Sequence, residues 1–156
     1  MTEKLLERNL TKFMENKYKI LPHVADVKVQ AFGRTKEELF LNAMKGMNAV
    51  LQPQIKSPKP ASPAGRSKVK NKIEVKSVDL NALLVDFLSE VLYLIQTNKE
   101  VYDEVKFNKF SDTELDGELS GVKVESFGED IKAVTYHGLK IEKKNNYYQA
   151  TILFDI

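Results

Sequence analysis

The sequence predicts an α+β fold in two layers, with two main helices packed on a mostly antiparallel sheet and a further helix at the N-terminus. Two observations carry this. Residues 80–97 repeat apolar side chains at intervals of three and four, and from Val101 onward the pattern changes to alternation broken by short polar turns. The order strand, helix, loop, strand, helix and then several strands segregates the late strands from the helices, which is the mark of an α+β domain. With 156 residues and 42% hydrophobic content, the chain suffices for one such domain.

Residues 3–16 set Leu5, Leu6, Leu10, Phe13 and Met14 at helical spacing among charged residues, which predicts an amphipathic opening helix. Tyr18 to Phe32 reads as extended chain interrupted by Pro22. Within it Val27, Val29 and Ala31 share one face, so Asp26 falls with Lys28 and Gln30 on the wetter one. Thr35-Lys36-Glu37-Glu38 is a capping box that starts a helix. Its buried stripe is Leu39, Phe40, Ala43, Met44, Met47, Val50 and Leu51, and it ends before Pro53.

Residues 52–66 hold four prolines among Ser, Lys, Ala and Gly, a composition that predicts a flexible loop. Over 56–76, seven cations (Lys56, Lys59, Arg66, Lys68, Lys70, Lys72, Lys76) meet only Glu74, a pattern suited to phosphate or to a lysine-protected edge strand. Asp79 is placed to cap the helix over 80–97, whose stripe is Leu80, Leu83, Leu84, Phe87, Leu88, Val91, Leu92 and Ile95. Asp86 and Glu90 take its polar face and read as solvated charges. Strands are predicted over 101–110, 113–125, 131–142 and 147–155, with Lys143-Lys144-Asn145-Asn146 as a hairpin turn.

Composition excludes several chemistries. Without cysteine there is no disulfide, thiolate nucleophile or cysteine-held metal. The seven glycines are dispersed, so no Gly-rich phosphate loop appears, and no H-E-x-x-H or G-x-S-x-G motif is present. No stretch approaches ~18 consecutive apolar residues, and the start is too charged for a signal peptide, so a soluble, cytoplasmic protein away from membranes is expected. Charge is uneven: residues 1–78 hold 16 Lys/Arg against 7 Asp/Glu, and 79–156 hold 8 against 15. The halves either polarise the surface or pair with each other in space.

The most informative feature is the end of the sequence, where an apolar run from Tyr147 to Phe154 leads into Asp155 and Ile156. The Asp155 side chain and the terminal carboxyl are acids one residue apart, which repel unless something positive joins them. Oxygen anions held on a strand invite a hard cation; otherwise they are solvated charges at the surface. Asp155, like Asp26, points away from the more apolar face of its strand.

Ordered blocks along the chain resemble the archease family. Pro22-His23-Val24-Ala25-Asp26-Val27 and Ala31-x-Gly33-x-Thr35-x-Glu37-Glu38-Leu39-Phe40 are similar to the family's His-Thr-Ala-Asp-Val segment and the helix after it. Asp79-x-x-x-Leu83-Leu84-x-Asp86-Phe87-Leu88-x-Glu90-Val91-Leu92-Tyr93-Leu94 resembles its long helix. Lys132-Ala133-Val134-Thr135-Tyr136-His137-Gly138-Leu139 and Phe154-Asp155-Ile156 resemble its closing hairpin. The blocks cover 18–156 and leave residues 1–17 as a helical extension.

The resemblance implies a non-enzymatic accessory factor of an RNA-splicing ligase, one that promotes ligase guanylylation and multiple turnover in tRNA splicing or RNA repair. It implies contact with tRNA or other RNA only through the ligase. It implies a divalent-metal site at Asp26, Asp155 and the carboxylate of Ile156, with Ca²⁺ the first expectation and Mg²⁺ or Mn²⁺ the alternatives. His23, Lys132 and His137 fall in matching blocks as partner-contacting or metal-supporting residues. The chain departs from the family at Val24, where threonine is usual, and after Gly117-Glu118, where an Arg-His pair is absent. The alternative is an RNA-binding or chaperone-like module acting through the basic 56–76 segment.

Overall fold

The computed structural model describes residues 17–21, 26–55 and 68–156. The predicted N-terminal helix over 3–16 and most of the predicted loop, from 56 on, lie outside the described residues, as does His23. Among the described residues, ten strands and two helices follow in the order β1 (Tyr18–Leu21), β2 (Asp26–Gly33), α1 (Lys36–Leu51), β3 (Pro53–Gln54), β4 (Val69–Lys76), α2 (Leu80–Asn98), β5 (Glu100–Phe110), β6 (Glu114–Lys123), β7 (Ser126–Phe127), β8 (Ala133–Thr135), β9 (Glu142–Lys144) and β10 (Tyr147–Asp155).

All the strand pairings described are antiparallel, and they form three sheets. The largest runs β1-β2-β10-β8, with β9 also on β10; β4-β6-β5 forms a second, and β3 pairs with β7. The α+β expectation holds, and the two helices stand against β1, β2, β10 and β8 as well as β4 and β5. Sequence pattern alone carried no information on this division, because parity fixes a strand's faces and not its neighbours.

Both helices begin as their caps dictate. Thr35 accepts the N–H of Glu38 at 3.1 Å and Asp79 that of Ala82 at 2.8 Å, each satisfying a first-turn donor. The Glu38 carboxylate, however, reaches the N–H of Arg34 at 3.3 Å and not that of Thr35. The predicted stripes are the buried ones: Leu39, Phe40, Ala43, Met44 and Met47 on α1, and Leu83, Leu84, Phe87, Leu88, Val91 and Ile95 on α2. Helix α2 has the length and hydropathy of a membrane span, although polar residues interrupt its apolar run. Its fully buried stripe accounts for that apolarity.

Phe40, Phe87, Phe107 and Phe110 join α1, α2 and β5 at ring separations of 5.0 to 6.0 Å. A register shift between Phe107 and Lys109 lets two phenylalanines three residues apart both face inward. Gly46 permits the close approach of α1 to β2: a Cβ there would stand 2.5 Å from a methyl of Val29.

The strand predicted over 131–142 is divided. Chain reversal after β8 is made at Tyr136 to Leu139, where Leu139 N–H returns to the Tyr136 carbonyl at 3.2 Å and Gly138 takes φ +66°. The hairpin turn is tighter than predicted. Lys144 pairs with Tyr147, so only Asn145 and Asn146 turn the chain, and Asn145 adopts φ +53°, a conformation asparagine tolerates.

Candidate metal centre

Strand β10 lies between β2 and β8, and its register with β2 sets Asp155 directly opposite Asp26. Opposed residues of an antiparallel pair share a face, with Cβ atoms about 4.5–5.5 Å apart. Carboxylates separated by almost the whole sequence thus become neighbours. The parity reading holds along both strands: Val29 meets Ile152, Ala31 meets Ala150 and Val27 meets Phe154 on the helix-facing side. The carboxylates take the opposite side, with Lys28 against Leu153 and Gln30 against Thr151.

Like charges directly across a ladder destabilise it, and a divalent cation between them reverses the sign of the interaction. Oδ1 of Asp26 is shielded from solvent, whereas Asp155 is exposed, so a cation here would be bound at the rim of the sheet. An all-oxygen donor set suits Ca²⁺, Mg²⁺ or Mn²⁺. Among the described residues, no three His, Asp or Glu side chains come together. The pair therefore needs main-chain oxygens or water to complete a coordination shell, and Ile156, next in the chain, is the nearest main-chain source. The carbonyl of Asp155 is already engaged, accepting the N–H of Lys132 at 2.7 Å. That bond ties the end of β10 to the entry of β8.

The other predicted residues are dispersed. Lys132 is exposed and lines a cleft of 520 Å³ with Gln96, Lys99, Phe127, Asp130 and Ile131, beside the end of β10. His137 is exposed in the turn after β8. Ala133 is the β8 partner of Asp155, and β8 runs from there toward Leu153, so His137 lies beyond the carboxylate pair.

Two polar networks escaped the sequence reading. Asp86 is not a solvated charge: it accepts hydrogen bonds from the hydroxyls of Ser77 and Tyr136. The bond to Asp86 is the main cause holding the Tyr136 phenol above its ordinary pKa, with burial second. Glu100 is buried, accepting from Tyr102 at 2.7 Å and Asn71 at 2.9 Å, with Lys123 at 3.8 Å from its other oxygen. Burial pushes the Tyr102 phenol up to about 12, and the bond to Glu100 adds to this against the opposing amide of Asn98. Only the shared parity of Glu100 and Tyr102 at the start of β5 hinted at it.

Two of the three lysines of β4 meet acids. Lys70 lies 3.5 Å from Glu118 and Lys76 3.9 Å from Glu114, both on the adjacent strand β6.

Comparison with known proteins gives one consistent result. The family model described as Archease protein family (MTH1598/TM1083) matches residues 18–156. Protein archease of Methanosarcina barkeri is 36% identical over 147 residues, covering 89% of this chain and 95% of its own length. Protein archease of Methanosarcina mazei is 36% identical over 155 residues, covering 90% and 96%. Among solved structures, protein 1598 of Methanobacterium thermoautotrophicum superposes with a TM-score of 0.64 at 23% identity, over 90% of this chain and 99% of its own. A Thermotoga maritima protein described as an archease, possible chaperone, gives 0.61 at 19% identity, over 88% and 96%. The two superpositions bear on the fold.

Proposed function

This chain belongs to the archease family, and on that premise we propose that it is an accessory protein that activates an RNA-splicing ligase, promoting ligase guanylylation and repeated turnover through a divalent cation. The observation that carries this reading is the cross-strand pairing of Asp26 with Asp155. Two carboxylates opposed on one face of a ladder put hard oxygen donors side by side, the donor type a divalent cation takes as ligands. In this reading Asp26 and Asp155 supply side-chain oxygens and Ile156 a main-chain oxygen. A bound cation supplies positive charge that neutralises phosphoryl oxygens and orients them.

The chain's own residues do the positioning. The β2–β10 ladder fixes the spacing of the two carboxylates, and the Lys132–Asp155 backbone bond steadies the end of β10. Lys132 and His137, both exposed, are available for partner contact. The protein acts as a cofactor of the ligase and performs no chemistry itself.

Single-turnover guanylylation of the ligase, with and without chelator, tests this. The wild type is expected to stimulate the reaction, with Asp26→Ala and Asp155→Ala failing to do so while remaining folded by circular dichroism. Full stimulation by both variants would remove the site from the function.

A further inference from the structure

Phe32 and Tyr147 are buried, at 4% and 8% exposure, yet neither belongs to the core beneath the helices. Their parity puts them on the opposite face of the main sheet. Phe32 follows Ala31, which faces α1, and Tyr147 precedes Tyr148, which packs on that same core, in a β2–β10 register that runs without a shift. The two rings lie 6.2 Å apart and shield only one flank of each other. A side chain on an open sheet face keeps its outward surface wet, so something further covers this pair. The described elements packed chiefly on β2 and β10 are strands of their own sheet and α1, which lies on the other face. The chain enters that sheet beside Phe32. The Lys17 carbonyl accepts the Phe32 N–H at 3.2 Å, and Lys17 takes φ +30°, so the chain changes direction just before β1.

We propose that residues 3–16 form an amphipathic helix that covers this face in cis, docking Leu5, Leu6, Leu10, Phe13 and Met14 on it and lying along β2 toward the Asp26–Asp155 row. The family match begins at residue 18, so this contact is an addition to the shared fold. Length and entry point select the occupant. Phe13 stands four residues before Lys17, about one helical turn, which brings its ring to Phe32 and Tyr147. A helix over 3–16 extends about 21 Å, and β2 from Phe32 back to Asp26 extends about 20 Å. The two lengths match. Further along the same face Leu21 and Leu153 are half-buried and meet Leu5 and Leu6. The helix then directs its N-terminal, positive end toward the two carboxylates, the favourable sense for its dipole. Such a strap borders the approach to that row, and it stands whether or not a cation binds there.

Paramagnetic broadening of backbone amides in the full chain tests this. The sequence has no cysteine, so Thr11→Cys, on the polar side of the helix, takes a single nitroxide label. Broadening is expected at Gln30, Phe32, Tyr147 and Thr151, sparing Ile73 and Leu119 in the β4–β6 ladder on the other side of the helices. Adding Phe13→Ser to the labelled chain lowers the ratio of docked to undocked helix by about tenfold or more, so the broadening is lost. The amide shifts of α1 and α2 stay those of the parent, which separates undocking from unfolding. Broadening centred on another face, or none, would overturn the proposal, as would broadening that survives Phe13→Ser. A mixture of labelled chains with unlabelled, isotope-enriched ones should show no broadening. Broadening in that mixture would make the occupant a second copy and overturn docking in cis.

Discussion

Asp26 and Asp155 show how far a single residue's role can be read from sequence. Alternation placed each on the wetter face of its strand, and this much is borne out by Val29, Ala31, Ile152 and Phe154 on the buried face. Their adjacency could not be read from alternation, because it is a property of register between strands more than a hundred residues apart; only the family resemblance implied it. The buried Glu100 was less legible still, since its partners Asn71 and Tyr102 come from two strands that both pair with β6 and not with each other. Tyr102 carries a pH dependence whose sign is fixed. Its folded pKa, about 12, lies above the unfolded value of 10.0, so the stabilisation is whole below pH 10 and is lost as pH rises toward 12. Alkaline unfolding followed by circular dichroism should show the wild type losing about 2 kcal/mol more than Tyr102→Phe between those limits. Parallel losses in the two proteins would deny the tyrosine that role.

At the scale of elements, caps and stripes told most of what mattered for α1 and α2. Thr35 and Asp79 start them, and the repeating leucines and phenylalanines of each stripe became its core face. Residues 131–142 failed as one strand because the turn at Tyr136 to Leu139, helped by positive φ at Gly138, ends β8 after three residues. The alternating apolar positions there suit both readings, and only pairing with β10 separates them. Gly46 is the element-scale test of how the site is supported. Alanine in a helix gains about 1 kcal/mol over glycine. Here its Cβ would press on Val29, a buried β-branched side chain with little rotameric freedom, at 2.5 Å. Overpacking of this kind costs about 1–3 kcal/mol, so Gly46→Ala should lower stability in urea denaturation, against helix propensity. An increase in stability would mean that α1 does not seat on β2 this closely.

For the whole molecule, charge that is divided along the sequence is joined in space. Lys36–Asp112 at 2.7 Å, Lys70–Glu118 and Lys76–Glu114 each link a cation of the first half to an acid of the second. Pairs this exposed add little stability, but they answer the cationic segment: two of the β4 lysines face acids of β6, which weakens the case for RNA binding through that strand. The fold class was legible because helical and strand periods differ. The split into three sheets was not, because it depends on which edges meet. The face of the central strands then unites the account, presenting a carboxylate pair at one end and two buried aromatic rings at the other. Calorimetric titration of Ca²⁺ into the wild type and Asp155→Asn, with thermal unfolding of both in chelator, tests that arrangement most directly. The wild type should bind one ion and the variant none. In chelator the variant should be at least as stable, by about 0.2–1 kcal/mol, since a like-charge pair has been relieved. Equal Ca²⁺ binding by the two proteins, or none by the wild type, would contradict the metal centre.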